Sequence, residues 1–223
     1  MKKEAKVIIA IPTCSPGRIP MLIKGVESVQ ASSYKNVHPV ILVDGNPRMC
    51  EVINKQLHNV SIISNKERMD WVFSMNRILK EFDSEYYIFA ADDLFFPPGC
   101  IEYAMIKMGE RFPSGFGLVG IGKKHKCAFG LFGHKFAEHF PNRQVFCPDY
   151  IHYGSDSELL RTINKMKKIA QIAHRPSSVN HKQPKDETWR IAEGFRVRDQ
   201  AIFSQRKEMG LSWGIDFKLI AGR

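Results

Sequence analysis

The chain has 223 residues, of which 43% are hydrophobic and 25% are charged, a composition ordinary for a soluble globular protein. No run approaches the roughly 18 consecutive apolar residues of a membrane span, and the first residues lead into a short apolar run rather than a signal-peptide core. Both observations predict a cytoplasmic protein. No C-x-x-C pair occurs, so we expect reduced, structural thiols at Cys14, Cys50, Cys100, Cys127 and Cys147.

The net charge of +10 is concentrated towards the C-terminus. Residues 161–223 contain fourteen Lys and Arg against six Asp and Glu. Such an excess either covers a solvated helical face or attracts a polyanion, such as nucleic acid, an anionic polymer or an anionic lipid surface. Charge alone does not choose between these alternatives.

Apolar runs of strand length alternate with segments of helical period in the first 110 residues. This alternation predicts βαβ crossovers and a mainly parallel sheet. Glycine-rich, aromatic residues 111–153 indicate strands and loops, including a packed strand rather than a dinucleotide fingerprint at the G-x-G-x-x-G of 115–120. The predicted strands are 7–11, 37–43, 60–63 and 86–90, and the predicted helices are 19–31, 47–57, 68–82, 98–108, 158–168 and the region around 188–210.

Paired carboxylates follow the fourth predicted strand directly. Asp92 and Asp93 would therefore lie at the carboxyl edge of the sheet, where hard oxygen ligands meet a metal-bound diphosphate. Pro12 and Thr13 end the first apolar run, and Asp44 ends the second. Because parallel strands finish at one edge, these residues together predict a nucleotide-sugar enzyme.

Several short motifs occur in a fixed order within residues 5–182. They are Ile11-Pro12-Thr13 followed by Glu27-Ser28-Val29, Asp44-Gly45-Asn46, Asn65 with Ser74-Met75-Asn76, Asp92-Asp93, Asp156 before a helix containing Arg161, and Val179-Asn180-His181. In this order they resemble the inverting family 2 glycosyltransferases, which have the GT-A fold. The resemblance implies an α/β chain with one GT-A-like domain over 1–182 and a mainly parallel, Rossmann-like, nucleotide-binding sheet. Residues 1–110 would bind the nucleotide sugar, 111–182 would supply the acceptor side and the base, and 183–223 would form a basic, helical appendage.

The same resemblance implies roles for individual residues. Asp156 would be the catalytic base, and the donor, with a UDP-sugar favoured, would be bound next to Mn²⁺ or Mg²⁺. A histidine ligand would favour Mn²⁺. The implied metal ligands are Asp92, Asp93 and His181, and the implied nucleotide-sugar contacts are Pro12, Thr13, Asp44, Asn65, Asn76 and Asp92.

The chain departs from the family at the metal motif. Members commonly have Asp-Ala-Asp-Asp, whereas this chain has Ala90-Ala91-Asp92-Asp93, so the first acid is missing. We expect Asp92 to keep the main role with a weaker affinity for the ion. An inactive homologue remains an alternative.

The chemistry asks for these residue types independently. Transfer from a nucleotide diphosphate needs a cation to neutralise the leaving group and a base, here Asp156, to take the proton of the acceptor hydroxyl. Direct displacement inverts the anomeric centre, and no protonated carboxyl group is needed, in contrast to a glycosidase. Structural alternatives remain: Asp156 as a helix N-cap, Asp44 as a turn residue, and His181 as a surface histidine.

The acceptor is the least determined part of the prediction. Near the end of the chain lie Asp186-Glu187-Thr188-Trp189, Arg198-Asp199-Gln200 and Phe203-Ser204-Gln205-Arg206. These segments resemble the ending of small glycosyltransferase-like proteins of bacteriophages. The resemblance implies a protein of the host cytoplasm and suggests hydroxymethylated pyrimidine in DNA as the acceptor. Candidate contacts with such a polyanion are Trp189, Arg198, Arg206 and Trp213, whose aromatic members are otherwise core residues. The alternatives are transfer to a surface glycan or anionic polymer, a sugar-1-phosphate nucleotidyltransferase, and a non-catalytic nucleotide-sugar or nucleic-acid binding protein.

Overall fold

The computed structural model of the chain describes residues 4–122, 128–172 and 178–215. Cys127 and His174 lie outside these ranges, and the other four cysteines, Cys14, Cys50, Cys100 and Cys147, are free thiols as expected. The strands are β1 Val7–Thr13, β2 Val37–Asp44, β3 Ser61–Asn65, β4 Tyr86–Phe89, β5 Leu94–Phe95, β6 Leu118–Gly120, β7 Gly130–Gly133, β8 Ile169–Gln171 and β9 Asn180–His181. The helices are α1 Ile19–Gln30, α2 Met49–Gln56, α3 Asp70–Glu81, α4 Cys100–Arg111, α5 His134–Ala137, α6 Ser155–Lys165 and α7 Glu187–Glu208, with 3-10 turns at Pro16–Arg18 and Pro141–Arg143.

Seven strands form the main sheet in the order β3-β2-β1-β4-β7-β6-β8. The pairs β1·β2, β2·β3, β1·β4 and β6·β8 are parallel, which confirms the predicted mainly parallel α/β sheet. The short strand β7 runs antiparallel to both of its neighbours, β4 and β6. Since β1 to β4 are parallel, their carboxyl ends meet at one edge, as the prediction required.

Both faces of the sheet are covered by helices, which explains why its strands are continuously apolar rather than alternating. Along β1, Val7, Ile9 and Ile11 pack into one core with residues of α1, α2 and α4. Ile8 and Ala10 point the other way, into a second core with residues of α3, α5 and α6. The two cores hold the four strand ends in fixed positions.

The G-x-G-x-x-G segment of residues 115–120 consists of a turn followed by the packed strand β6, as predicted. Gly115 has φ +75°, and a Cβ on Gly133 would lie 2.3 Å from the carbonyl oxygen of Gly115. The glycines therefore allow two backbones to touch at the end of β7, and the next described element after β6 is the strand β7.

The helix expected around 188–210 is α7, which packs on the rest of the chain through a buried hub. The carboxylate of Glu158, which is 0% exposed, accepts hydrogen bonds from the Tyr150 hydroxyl (2.6 Å), from Arg206 Nε and Nη2 (both 2.9 Å) and from the Trp213 backbone N–H (2.7 Å). The Asp199 carboxylate, also 0% exposed, accepts from the backbone N–H groups of residues 151–153. Among the described residues, no helix has the length and apolar character needed to cross a membrane.

Candidate active site

A cavity of about 750 Å³ opens at the carboxyl edge of β1, β2 and β4. Its wall includes Pro12 and Thr13 from β1, Asp44 from β2, and Asp92 and Asp93 from the turn after β4. The edge of an open parallel sheet is where ligands bind in α/β proteins. The structure thus brings together the sequence-predicted residues of the first, second and fourth strands.

The two acids of the metal motif are almost completely buried. Asp92 is 4% and Asp93 is 3% exposed, and Thr13 Oγ1 donates a hydrogen bond of 2.8 Å to Asp92 Oδ2. Burial raises the pKa of Asp92 to about 6, against the lowering effect of Arg18, and the neighbouring Asp93 adds to the rise. The positive charge that the protein places at this site is therefore too small to stabilise both carboxylates fully.

Strand β9 carries His181 to the same acids. His181 pairs in register with Leu94 of β5, directly after the metal motif, and its Nε2 lies 3.1 Å from Asp93 Oδ1. That approach lacks hydrogen-bond geometry, so Asp93 Oδ1 has no hydrogen-bond partner among the described residues. The side chain of His181 is 29% exposed and packs edge-on against Phe129, so the surface-histidine alternative does not describe it.

Sequence reasoning missed Arg18, which lies on the metal motif. Its Nη1 donates to Asp92 Oδ1 at 2.8 Å and lies 3.5 Å from Asp93 Oδ2. Its Nε and Nη2 donate to Asp186, at 2.8 and 3.0 Å. Asp186 is also the N-cap of α7, where it accepts from the Trp189 backbone N–H. The only signal in the sequence is an arginine in the turn between the first strand and the first helix.

The residues present suit a hard divalent cation. The described part of the chain holds no ready-made cluster of three or more His, Cys, Asp or Glu. However, Asp93 offers a buried oxygen without a hydrogen-bond donor, Asp92 adjoins it, and the Arg18 guanidinium already occupies the position of a cation between them. Carboxylate oxygens and a histidine nitrogen are the donors that Mn²⁺ accepts. Asp92, Asp93 and His181 would hold such an ion.

The Asp44 carboxylate builds the wall next to the metal motif. It accepts from Asn65 Nδ2 (2.7 Å), from the Met69 N–H (3.0 and 3.1 Å) and from the Asp70 N–H (2.8 Å). Asp44 thereby fixes the loop that leads into α3. Gly45 allows this close approach, because at φ +77° a Cβ there would lie 2.9 Å from the backbone nitrogen of Arg68. Asp44 therefore stabilises a turn and also lines the cavity.

Two predicted donor contacts lie away from the cavity wall. Asn65 donates to Asp44 and accepts from Arg77 Nη1. Asn76 Nδ2 donates to the Phe146 carbonyl at 2.7 Å, and Asn76 Oδ1 accepts from the Phe146 N–H at 3.1 Å. Neither asparagine lines the cavity. In the structure Asn76 joins α3 to the segment before α6, which is a packing contact. The donor contacts of the two asparagines stay predictions.

Asp156 approaches the cavity from a different element than the metal motif. It is the second residue of α6 and lines the cavity, while the N-cap of that helix is Gly154. Its Oδ1 accepts from the Ser157 N–H at 2.7 Å. The N-cap alternative is therefore wrong for Asp156. Gly154 has φ +82°, which lets the chain turn sharply between Tyr150 and the helix.

The family of the chain follows from comparison with known proteins. The sequence matches the model of the family described as Glycosyl transferase family 2 over residues 8–125, more than half of the chain. The chain belongs to glycosyl transferase family 2. No curated protein sequence matches it significantly.

Solved structures share the fold of this family 2 chain at low identity. The mannosyltransferase PcManGT from Pyrobaculum calidifontis, in complex with GDP-Man and Mn²⁺, is 17% identical with a TM-score of 0.65, over 92% of this chain and 65% of that one. TarS 1-349 from S. aureus is 12% identical with a TM-score of 0.58, over 84% and 64%. The same protein in complex with UDP is 11% identical with a TM-score of 0.59, over 75% and 58%. The chain spans less than two thirds of the length of these proteins.

The cavity is completed by residues that the sequence did not single out. Arg68 and Asp70 follow β3, where Arg68 Nε donates to Asp70 Oδ1 at 2.8 Å. Tyr153 lies before α6, and its hydroxyl donates to Glu193 of α7 at 2.6 Å while Arg196 lies over its ring, 4.2 Å from the centroid. Burial lowers the pKa of His152, on the same wall, which favours the neutral imidazole.

The four predicted polyanion contacts separate into two groups. Trp189 lines the cavity, with Lys185 Nζ 5.7 Å from the centre of its ring, and the Arg198 side chain is 49% exposed although it pairs with Asp199. Arg206 and Trp213 instead face inward. Arg206 binds Glu158 and Asp149, and the Trp213 indole N–H donates to the Gln144 carbonyl. Arg161 joins them by donating to the Leu211 carbonyl, so Arg161 and Arg206 stabilise the fold.

Proposed function

We propose that this glycosyltransferase moves a sugar from a nucleotide-diphosphate sugar to an acceptor hydroxyl, with a divalent metal ion and with inversion of the anomeric centre. One observation carries the proposal: the buried acids of the metal motif and Asp156 line one cavity from separate elements. A donor bound at the first would present its sugar to an acceptor bound at the second. The GDP-Man and Mn²⁺ in PcManGT and the UDP in TarS support a donor of this class.

On the donor side, the strand ends have distinct tasks. Thr13 orients the Asp92 carboxylate through its 2.8 Å hydrogen bond, so that the other oxygen faces the cavity's cationic position. Asp44 holds the loop before α3 in place, and Pro12 and Asp44 bound the space assigned to the nucleoside. Mn²⁺ or Mg²⁺, when bound, neutralises the developing charge of the departing diphosphate.

On the acceptor side, Asp156 is proposed as the general base. Its position in the first turn of α6 leaves the carboxylate partly exposed to the cavity. Taking the proton of the attacking hydroxyl in the transition state is worth roughly 10²- to 10⁴-fold in rate. Since the attack is direct, no covalent glycosyl intermediate is needed and the configuration inverts.

For the acceptor itself, we propose a hydroxyl on a polyanion, with hydroxymethylated pyrimidine in DNA as the specific candidate. The support is the net charge of +10, the position of Trp189 and Lys185 on the cavity wall, and the exposed side chain of Arg198. A base must leave its duplex to reach such a cavity, and aromatic rings stabilise the extruded base by stacking.

The donor assignment is tested by measuring the binding of UDP, GDP and their common sugars with and without Mn²⁺. We expect Asp92→Asn to abolish metal-dependent nucleotide binding, because it removes a charged ligand, and Asp156→Asn to keep binding but lose transfer. Equal loss of binding in both variants would contradict the separate roles. Glu110→Gln, on an exposed side chain of α4, is the control and should change neither quantity.

The acceptor assignment is tested by transfer from the donor that binds. Hydroxymethylated DNA, unmodified DNA of the same sequence and a neutral glycan are offered in parallel. Sugar transfer that requires the hydroxymethyl group supports the DNA assignment, and transfer to the glycan alone overturns it.

A further inference from the structure

We propose that Arg18 occupies the cation position of the metal motif when the site is empty, and that it releases Asp92 to bind the diphosphate oxygens when metal and nucleotide enter. This inference rests on the proposed function, whose donor it concerns. It assigns Arg18 as a further donor-binding residue.

The contacts of Arg18 indicate that it stands in for a cation. Its side chain is only 9% exposed, and its guanidinium touches three carboxylates, those of Asp92, Asp93 and Asp186. Burial alone would lower the pKa of Arg18, but the hydrogen bond to Asp186 and the charge of Asp92 raise it above its ordinary value. The group is thus a permanent cation held by carboxylates in a buried position.

One guanidinium does not balance this site. Three carboxylates surround it, so negative charge remains after the pairing, and Asp93 Oδ1 is left without a hydrogen bond. A second cation is therefore favoured at the same place. Among the described residues, no lysine or other arginine pairs with Asp92 or Asp93.

Arg18 and a metal ion cannot both use the same oxygen of Asp92 in their present positions. Arg18 Nη1 lies 2.8 Å from Asp92 Oδ1. A divalent ion of this type binds oxygen at about 2.1 Å, which would place two positive charges a few ångströms apart in a buried site. The ion's arrival at Asp92 thus requires that Nη1 turn away.

The surroundings show where the released nitrogen would go. Arg18 lies at the end of the 3-10 turn before α1, at the cavity wall, and keeps two hydrogen bonds to Asp186 that hold its stem in place. The planar guanidinium matches phosphate oxygens in a two-pronged geometry. With Nη1 free and the diphosphate bound beside Asp92, Arg18 would donate to that diphosphate.

The test measures the binding of Mn²⁺ alone and then of UDP and GDP at saturating Mn²⁺, for the wild type and for Arg18→Gln. Free Mn²⁺ is followed by electron paramagnetic resonance and nucleotide binding by calorimetry. We expect Arg18→Gln to bind Mn²⁺ roughly tenfold more tightly, because a competing cation is gone, and to bind the nucleotide roughly tenfold more weakly. A residue needed only for the fold would weaken both.

Controls and contrary outcomes separate this inference from the proposed function. Arg143→Gln removes an arginine that pairs with Asp83 outside the cavity, and it should leave the Mn²⁺ affinity unchanged. Unchanged or weaker Mn²⁺ binding by Arg18→Gln, or an unchanged nucleotide affinity, overturns the inference. A wild type that binds Mn²⁺ but no nucleotide contradicts the proposed donor, while the comparison of Mn²⁺ affinities still tests the displacement.

Arg18→Lys serves as a second variant where Arg18→Gln does not fold. It keeps the charge but loses the two-pronged geometry. Mn²⁺ affinity within about threefold of the wild type with a clearly weaker nucleotide affinity supports the inference. Full retention of nucleotide affinity contradicts it.

Discussion

The ion pair between Glu158 and Arg206 predicts how strongly the C-terminal helix is held. Glu158 is in the first turn of α6 and Arg206 is in the last turn of α7, and two nitrogens of the guanidinium donate to the carboxylate at 2.9 Å. The Glu158 side chain is 1% exposed and that of Arg206 is 16% exposed. Solvent therefore screens this pair far less than a surface pair.

Arg206→Met removes the cation and keeps most of the apolar stem. The Glu158 carboxylate would then keep its hydrogen bonds from Tyr150 and Trp213 and the more distant Arg161, whose Nη2 lies 3.8 Å from Oε1, but it would lose its hydrogen-bonded charge partner in a buried position. Breaking a buried pair from one side costs about 3–5 kcal/mol. For a chain of this length, that corresponds to a fall of about 10 °C in the melting temperature.

The assay is urea unfolding of the wild type, Arg206→Met, Glu158→Gln and the double variant. We expect a coupling free energy of about 2 kcal/mol or more, because removal of either side chain is destabilising mainly when the other one is left buried without its partner. The exposed pair Lys107 and Glu110 on α4 is the matched control, with a coupling of at most about 0.5 kcal/mol. A Glu158–Arg206 coupling as small as that of the control would refute the reasoning.

Two further predictions follow from the same contacts and from Asn76. Burial opposes ionisation of Glu158, but hydrogen bonds from Arg206 and Tyr150 outweigh this effect and lower the pKa of Glu158. The stability that the ionised carboxylate contributes is therefore present above the pKa of a glutamate in the unfolded chain. It is lost as the pH falls through the pKa of Glu158 in the folded protein. Glu158→Gln should therefore flatten the acid side of the stability profile below about pH 4, and an unchanged slope there would count against the assignment. Asn76→Ala should lower the free energy of unfolding by about 2 kcal/mol, because the Phe146 N–H and carbonyl lose their partner, and should leave the nucleotide dissociation constant unchanged. If Asn76→Ala were as stable as the wild type but bound the nucleotide more weakly, the result would contradict this prediction and support a contact of Asn76 with the donor.

The strand ends were predictable because burial on both faces leaves a simple pattern. Apolar residues fill β1, β2 and β4, and the first polar residues after such runs fall at the carboxyl edge. Thr13, Asp44 and Asp92 could thus be placed together from the sequence. The antiparallel strand β7 and the two-stranded sheet of β5 and β9 depend on contacts between distant segments, and short strands among glycines give little periodic signal.

The role of the basic C-terminal residues was harder to predict, since charge counted along the chain does not show which charges meet. Arg206 lies 48 residues from Glu158, and Asp199 lies 46 to 48 residues from the backbone groups it accepts from. Opposite charges so far apart look independent in the sequence. The excess of positive charge towards the C-terminus is visible in the sequence, but the part of it that contacts Glu158 and Asp149 serves the fold.

The missing acid of the metal motif is a related case. Ala90 is fully buried in the core next to β1, where a carboxylate would lose its hydration without gaining a partner. The third carboxylate at Arg18 is instead supplied by Asp186, 168 residues away along the chain. Asp186 also caps α7 and accepts hydrogen bonds from Nε and Nη2 of Arg18. The third nitrogen of the guanidinium, Nη1, donates to Asp92. Three acids, Asp92, Asp93 and Asp186, therefore surround one cationic position. Residues 90–93 alone suggest that the site lacks one negative charge, whereas Asp186 supplies it.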